Sequence, residues 1–399
     1  MAQKIVLAYS GGLDTSVAIR WLEENYRSEV ATLTMDIGGK VDLEGARQRA
    51  LKIGAVRADV LNAREEFISE YVWPALQAGA IYEGIYPLAT ALGRPLIAKH
   101  LVRIALEEDA FAIAHGCTGK GNDQVRFDVS AAALAPHLKV IAPAREWNMT
   151  REQEIAYANE RNVPLDLHKR SSYSVDENLF GRSIEAGDLE DPWAEPPEDA
   201  WAWTVGAAKA PTAPHYLEIT FRNGVPTALD GKELSGAELV EALNETAGAA
   251  GVGRIDHVEN RLVGIKSREL YESPAGVVLH QAHRALEQLC LTKDQSRFKE
   301  RVAAEYADLV YNGLWFSAHR LNLDAYVRST QVHVNGDVRV RLQQGASTVV
   351  GRRSAESLYR KDLATYDTGD AFDHTAAVGF IQLYGLPVRT QARVQGTGE

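Results

Sequence analysis

The sequence predicts an α/β chain: a parallel sheet covered by helices, then an α+β region, then a C-terminal helical arm. Three observations carry this. Over roughly the first 165 residues, short apolar runs alternate with helical patterns. Further on, Asn-Gly turn signals are interspersed with helical patterns. At the end, apolar residues recur at helical spacing.

The first strand is expected at residues 5–9 and the second at 30–36. Residues 41–54 have helical spacing, closed by Gly54. A short strand follows at 57–60, a helix at 95–108, and strands at 112–116 and 139–143. Thr150 and Gln153 have capping-box spacing and open a helix to Arg161. Residues 187–214, with three tryptophans and several prolines, read as an irregular connector. Hairpins are expected around Asn223-Gly224 and around Asn335-Gly336, the second with Val332, Val334, Val338 and Val340 on one face. Helices fall between them at 235–247, 275–290 and 294–315. Phe372, Ala376, Phe380 and Leu383 mark a tail helix that needs a partner surface, which favours exchange between subunits.

The chain has 399 residues, enough for two or three domains. Its net charge of −11 argues against a large nucleic-acid footprint, which needs clustered cations. Cys117 and Cys290 stand far apart, so neither a disulfide framework nor a zinc site is expected. The eleven histidines are scattered, and His280 and His283 read as a pair on a helix surface rather than as metal ligands. No apolar leader opens the chain and no run of 18 apolar residues occurs, so a cytoplasmic location off the membrane is expected.

The densest functional signal is the string Ala8, Tyr9, Ser10, Gly11, Gly12, Leu13, Asp14, Thr15, Ser16, between the first strand and a helical pattern. Two glycines let backbone N–H groups turn toward an anion, and the helix N-terminus adds partial positive charge. Ser10, Thr15 and Ser16 add hydroxyl donors. Asp14 would repel phosphate unless a cation bridges it, which points to magnesium. The loop lacks the Gly-Lys-Ser/Thr ending of a Walker A motif and is not a dinucleotide fingerprint. The plain alternative is a strand-to-helix turn with a hydroxyl cap.

A second polar stretch runs through residues 115–126, with Gly116, Thr118, Asn122, Asp123 and Arg126 after a strand. Arg126 can clamp a carboxylate with paired hydrogen bonds, Asn122 can donate and accept, and Asp123 suits an ammonium group. This mix fits amino-acid ligands. A third stretch, 172–183, offers hydroxyls and acids that composition alone does not assign.

The first loop resembles that of the N-type ATP pyrophosphatases. Residues 86–95 (Tyr-Pro-Leu-Ala-Thr-Ala-Leu-Gly-Arg-Pro), 115–126, 174–179, 254–261 and 266–276 extend the resemblance nearly end to end to one family in that superfamily, the argininosuccinate synthases. The resemblance implies a ligase that joins citrulline to aspartate in arginine synthesis, through a citrullyl-adenylate, with ATP cleaved to AMP and pyrophosphate. It implies ATP contacts along residues 8–16, at Met35 and at Gly116. For aspartate it implies Thr118, Asn122 and Asp123. For citrulline it implies Tyr86, Ala91, Asn122, Arg126, Ser174, Ser183, Glu259 and Tyr271. Asp14, Asp123 and Arg126 take the central roles, Asp14 beside magnesium. Met35 and Ala91 depart from the residues usual in the family, so the adenine contact at Met35 would be made by backbone and a hydroxyl contact at Ala91 is lost. A homotetramer is also implied, with a nucleotide domain at 1–168, a synthetase domain at 169–360 and an oligomerisation arm at 361–399. Competing readings are a transfer-RNA thiolation enzyme with the same loop and a nucleotide-sensing module without turnover.

Overall fold

A computed structural model describes residues 3–39, 42–164, 173–366 and 371–396. The chain divides into two compact units, Met1–Glu356 and Ser357–Glu399. The first unit begins with β1 (Lys4–Ala8), α1 (Leu13–Tyr26), β2 (Glu29–Asp36), α2 (Leu43–Ile53) and β3 (Arg57–Asn62). It continues with α3 (Ala89–Glu107), β4 (Ala112–Ala114), α4 (Asp123–Leu134), β5 (Lys139–Ile141) and α5 (Arg151–Glu160). These five strands form one parallel sheet in the order β3-β2-β1-β4-β5.

Alternation along β1 sorts the two faces. Ile5 and Leu7 pack with Val17, Ile19 and Leu22 of α1, Ala46 and Ala50 of α2, and Ala158 of α5. Val6 points the other way, into a core shared with Leu92, Leu96 and Leu101 of α3 and with Phe127 of α4. That second core runs without a break into the following elements, through Leu217, Ile219, Leu279 and Val338. The expected boundaries hold within one to three residues in most of these elements. Val41, where the second helical pattern was expected to begin, lies outside the described residues.

One helix starts early. Pro95 was expected near the start of its helix, as proline at the first turn usually is. The preceding turn buries Ala89, Ala91 and Leu92, so α3 begins at Ala89 and carries Pro95 inside it. The missing amide costs one helix bond.

Antiparallel sheets follow. One contains β6 (Ser174–Asn178), β7 (Gly181–Glu185), β11 (Arg254–Asn260) and β12 (Lys266–Glu272), in the order β11-β12-β7-β6. The other contains β8 (His215–Arg222), β9 (Val225–Leu229), β10 (Lys232–Glu233), β13 (Gly336–Gln343) and β14 (Ala346–Arg353), in the order β10-β9-β8-β13-β14. The turn at Asn223-Gly224 joins β8 to β9, with φ of 50° and 73° at the two residues, as a tight hairpin requires. Helices α6 (Gly236–Ala249), α7 (Pro274–Cys290) and α8 (Lys293–Tyr311) lie where expected.

The second expected hairpin is corrected. Residues up to Gln331 belong to a helix the periodicity did not reveal, α9 (Ala318–Gln331). Its buried positions include Arg320, Asp324, Thr330 and Gln331, so its inner face is polar and leaves no apolar repeat. Val332 continues in helical conformation, and β13 starts only at Gly336. Asn335 instead accepts a hydrogen bond from the Asn223 N–H at 2.7 Å. The hairpin partner of β13 is β14, joined through Gln344-Gly345. His280 and His283 are also corrected: both are buried, and His283 Nε2 bonds Gln331 at 2.8 Å. Burial, followed by the charge of His283, lowers the His280 pKa to about 3.

The connector after β7 is tied to β12 by Glu272, whose side chain is fully buried. Its carboxylate accepts from the N–H groups of Ala202, Trp203 and Thr204, from the Thr204 hydroxyl, and from Arg182. The second unit contains α10 (His374–Tyr384), capped by Asp373, and α11 (Leu386–Gln395).

Glu272→Ala leaves these donors without their acceptor and leaves Arg182 with only its longer pairing to Glu177. It is expected to cost about 3–5 kcal/mol in urea unfolding, as loss of one partner from a buried charged network does. A loss under about 1 kcal/mol would show that the connector is held by other contacts.

Candidate active site

The strand order reverses between β1 and β4, which pair in parallel. Their carboxyl ends therefore open side by side, at the place where such sheets bind ligands. The β1 loop and the loop after β4 approach closely: a Cβ on Gly116 would lie 3.0 Å from Thr15 Cγ2.

The β1 loop departs from an ordinary capped turn. Asp42, Thr150, Ser235, Thr292 and Ser317 each cap a helix through their side chains. At α1 the cap position is Gly12, with no side-chain cap bond. The N–H groups of the first turn are left for an anion. Gly11 sits at φ +80°, a corner that favours glycine. Around it, Ser10 and Thr15 hydroxyls bond at 3.1 Å, as do the Tyr9 and Ser16 hydroxyls.

A cavity of about 630 Å³ opens here. It is lined by every residue from Ala8 to Ser16, by Met35 and by Gly116, so all the positions expected to contact ATP share one wall system. Glu154 of α5 lies against Asp14, and burial together with the Asp14 charge raises its pKa to about 7.

A second cavity of about 200 Å³ adjoins the first, and Cys117 and Asp176 line both. Tyr86, Thr118, Asn122, Asp123, Arg126, Ser183, Glu259 and Tyr271, positions named for citrulline and aspartate in the sequence, all line it. Ala91 lies fully buried in α3 and Ser174 is exposed at the start of β6; neither lines this cavity.

The side chains form a connected set. Tyr86 stacks on Tyr271 at 3.9 Å between ring centroids. Glu259 accepts from the hydroxyls of Tyr271 and Tyr311. Asn122 donates to the Tyr311 hydroxyl at 2.8 Å and accepts from the Leu262 N–H at 2.9 Å. Arg126 donates to the Tyr311 carbonyl at 3.0 Å and to Asp123 at 2.8 Å.

Sequence reasoning missed Arg94 and the importance of Asp176. Arg94 lines the first cavity and donates to Asp123 at 2.8 Å and to Asp176 at 2.6 Å. Burial opposes the charge on Asp123, but Arg94 and Arg126 outweigh it and hold its carboxyl below the usual range. Asp176 goes the other way, raised by burial against the pull of Arg94. A signal existed: Thr90, Arg94 and Ile97 share one face of α3, and all three line a cavity. Glu185, Arg261 and Glu269 were also missed. Arg261 pairs with both glutamates. Burial, with the charge of Glu185, pushes the Glu269 carboxyl up to about 8 despite Arg261.

Comparison with known proteins shows the family. Residues 4–164 match the family model described as the arginosuccinate synthase N-terminal HUP domain, and residues 173–391 match the arginosuccinate synthase C-terminal domain. The chain belongs to the argininosuccinate synthase family. Argininosuccinate synthase from Dehalococcoides mccartyi is 57% identical over 395 residues, covering 99% of this chain and 97% of that protein. The Gloeobacter violaceus argininosuccinate synthase is 58% identical, covering 99% of each chain. That of Chlorobium phaeobacteroides is 53% identical, covering 98% of each. As an argininosuccinate synthase family member, the chain is an ATP-dependent ligase of citrulline and aspartate in arginine biosynthesis. Among the described residues no helix is long and apolar enough to cross a membrane.

Two outcomes follow from this geometry. Gly12 has an extended-type backbone with φ −77°, and a Cβ there would meet only the Ser10 hydroxyl, at an ordinary contact distance of 3.4 Å, so Gly12→Val should fold while obstructing the cavity. ATP binding by calorimetry should fall at least about tenfold, the size of one lost charge-assisted contact; wild-type affinity would refute the phosphate loop. Glu269 binds its proton more tightly folded than unfolded, because its pKa stands at about 8 against an ordinary 4.5. Stability should therefore fall as pH rises from about 4.5 to about 8. Glu269→Gln should flatten that slope in urea midpoints, and parallel slopes would disprove the raised carboxyl.

Proposed function

We propose that the two adjoining cavities work as one ligation site, with ATP in the larger and the amino-acid substrates reaching it from the smaller. The observation that carries this is the wall they share at Cys117 and Asp176, beside Arg94 and Asp123.

The β1 loop residues Ala8, Tyr9, Ser10, Gly11, Gly12, Leu13, Asp14, Thr15 and Ser16, with Gly116, hold the triphosphate, and Met35 meets adenine through its backbone. Tyr86, Asn122, Arg126, Ser183, Glu259 and Tyr271 position citrulline. Thr118, Asn122 and Asp123 position aspartate. Ala91 and Ser174 would act from outside the second cavity, Ala91 through the packing of α3.

The ureido oxygen of citrulline attacks the α-phosphorus. A new P–O bond forms, the bond to the β-phosphate bridge breaks, and pyrophosphate leaves, giving citrullyl-adenylate. The aspartate amine, in neutral form, then attacks the ureido carbon. A C–N bond forms, AMP leaves with the former ureido oxygen, and argininosuccinate results. No side chain need become covalently attached, so catalysis is positioning and electrostatics. Arg94 and Arg126 form a fixed positive pair about Asp123, which aligns donors before substrate arrives.

Magnesium fits this site in a limited way. Mg²⁺ takes one or two carboxylates plus substrate phosphates, and Asp14 supplies a carboxylate at the loop. Among the described residues no cluster of three His, Cys, Asp or Glu side chains could hold a metal alone. Bound there, magnesium would neutralise charge on the departing pyrophosphate.

We also assign a cytoplasmic location and a homotetramer. The nucleotide domain spans residues 1–168, the synthetase domain 169–360 and the arm 361–399; the 168/169 boundary lies outside the described residues. The tetramer is supported by Val378, Phe380, Ile381, Leu383 and Tyr384 of α10, which the arm itself leaves uncovered.

Citrulline labelled with ¹⁸O at the ureido oxygen should transfer the label to AMP, read by mass spectrometry. Label recovered in pyrophosphate or retained in argininosuccinate would rule out this route.

A further inference from the structure

Most partly buried arginines in the first unit have a carboxylate partner: Arg57, Arg94, Arg126, Arg182, Arg254, Arg261, Arg268 and Arg320 all form ion pairs. Arg49 does not. It lies on α2, its Nε is buried, and it has no hydrogen-bond partner there. Among the described residues it forms no ion pair with any carboxylate. Its guanidinium stands at the β1 loop, with Nη2 3.1 Å and Cζ 3.9 Å from where a Cβ on Gly11 would lie.

Arg151 is a second cation that forms no ion pair among the described residues. It is the first residue of α5 and lines the first cavity. Its charge is felt by Glu154 one turn along. Helices α2 and α5 both pack against α1, α2 over the β2 and β3 side and α5 with Ala114 and Ile141 of the β4 and β5 side. The two arginines therefore come to the loop from opposite flanks of α1.

An unpaired guanidinium with a buried nitrogen is costly unless an anion arrives to meet it. The β1 loop is such a destination. It has no lysine of its own and carries the negative Asp14. Within the loop itself, amides and hydroxyls are the groups that would face the charge of a leaving pyrophosphate, and none of them carries a full positive charge.

We propose that Arg49 and Arg151 are the cations of the phosphate site, closing on the β- and γ-phosphates of ATP and on pyrophosphate as it departs. This rests on the reading that places ATP in the first cavity. Arginine suits the role because its planar fork can bond two phosphate oxygens together. Arg49 enters from behind the Gly11 corner, where any side chain at position 11 would meet it. Arg151 enters from the cavity wall.

The test titrates inorganic pyrophosphate and, separately, AMP into the full chain by calorimetry. Arg49→Met should weaken pyrophosphate at least about tenfold while AMP stays within about twofold, and Arg49→Lys should recover part of the loss. Arg151→Ala, at an exposed position where folding is not at stake, should weaken pyrophosphate by about threefold or more. Unchanged pyrophosphate affinity in both Arg49→Met and Arg151→Ala would overturn the proposal. So would equal loss of AMP and pyrophosphate in Arg49→Met, which marks a purely structural arginine. Wild-type synthesis of argininosuccinate is assayed in parallel. Failure there, with the pyrophosphate pattern intact, refutes the ligation site and leaves the arginine pair standing.

Discussion

The parallel pairing of β1 with β4 is the constraint on which the site depends. It sets two loops of unrelated sequence side by side at the point where the strand order reverses. One loop offers amides and hydroxyls, and the other leads into Asn122, Asp123 and Arg126. The contact is close enough that Gly116 faces Thr15 with no room for a larger residue without movement. A separate antiparallel sheet then brings Ser183, Glu259 and Tyr271 to the same opening. The second cavity is thus assembled from four distant stretches of chain around one fixed parallel pair.

Between the cavities stands a relay of alternating charge: Asp176, Arg94, Asp123, Arg126. Each member is satisfied by its neighbours, so the set keeps its geometry without a ligand. Asp123 accepts from two arginines and already has much of its charge answered. Under the proposed assignment, a substrate ammonium arriving there would join a network instead of meeting a bare carboxylate. This couples the two halves of the site, because moving Arg94 alters the surroundings of Asp123 and of the first cavity together.

Much of this was legible in the sequence, and the exceptions have physical causes. The β1 loop could be read because its glycines and hydroxyls follow an apolar strand directly. Asn223-Gly224 was a turn because both residues adopt positive φ there. Asn335-Gly336 carried the same letters, but Asn335 spends its side chain on the other hairpin, and the chain runs straight into β13. Helix α9 was invisible because it buries Arg320, Asp324 and Gln331 in place of an apolar stripe. At the site, Arg94 hid in a helix whose other inward positions are mostly apolar. Glu185 and Glu269 are brought together by strand pairing, which one-dimensional spacing cannot display.

Glu272 has an effect on how this chain can vary. The groups it receives from residues 202–204 are chiefly main-chain amides, which every residue except proline supplies. The side chains of Ala202 and Trp203 are therefore released from the duty of binding this acid, while the Thr204 hydroxyl and the acid itself are bound to their places. Substitution should accumulate at those two positions and be purged at the acid: a stretch free to drift in composition where only its main chain is gripped, beside a carboxylate that is not.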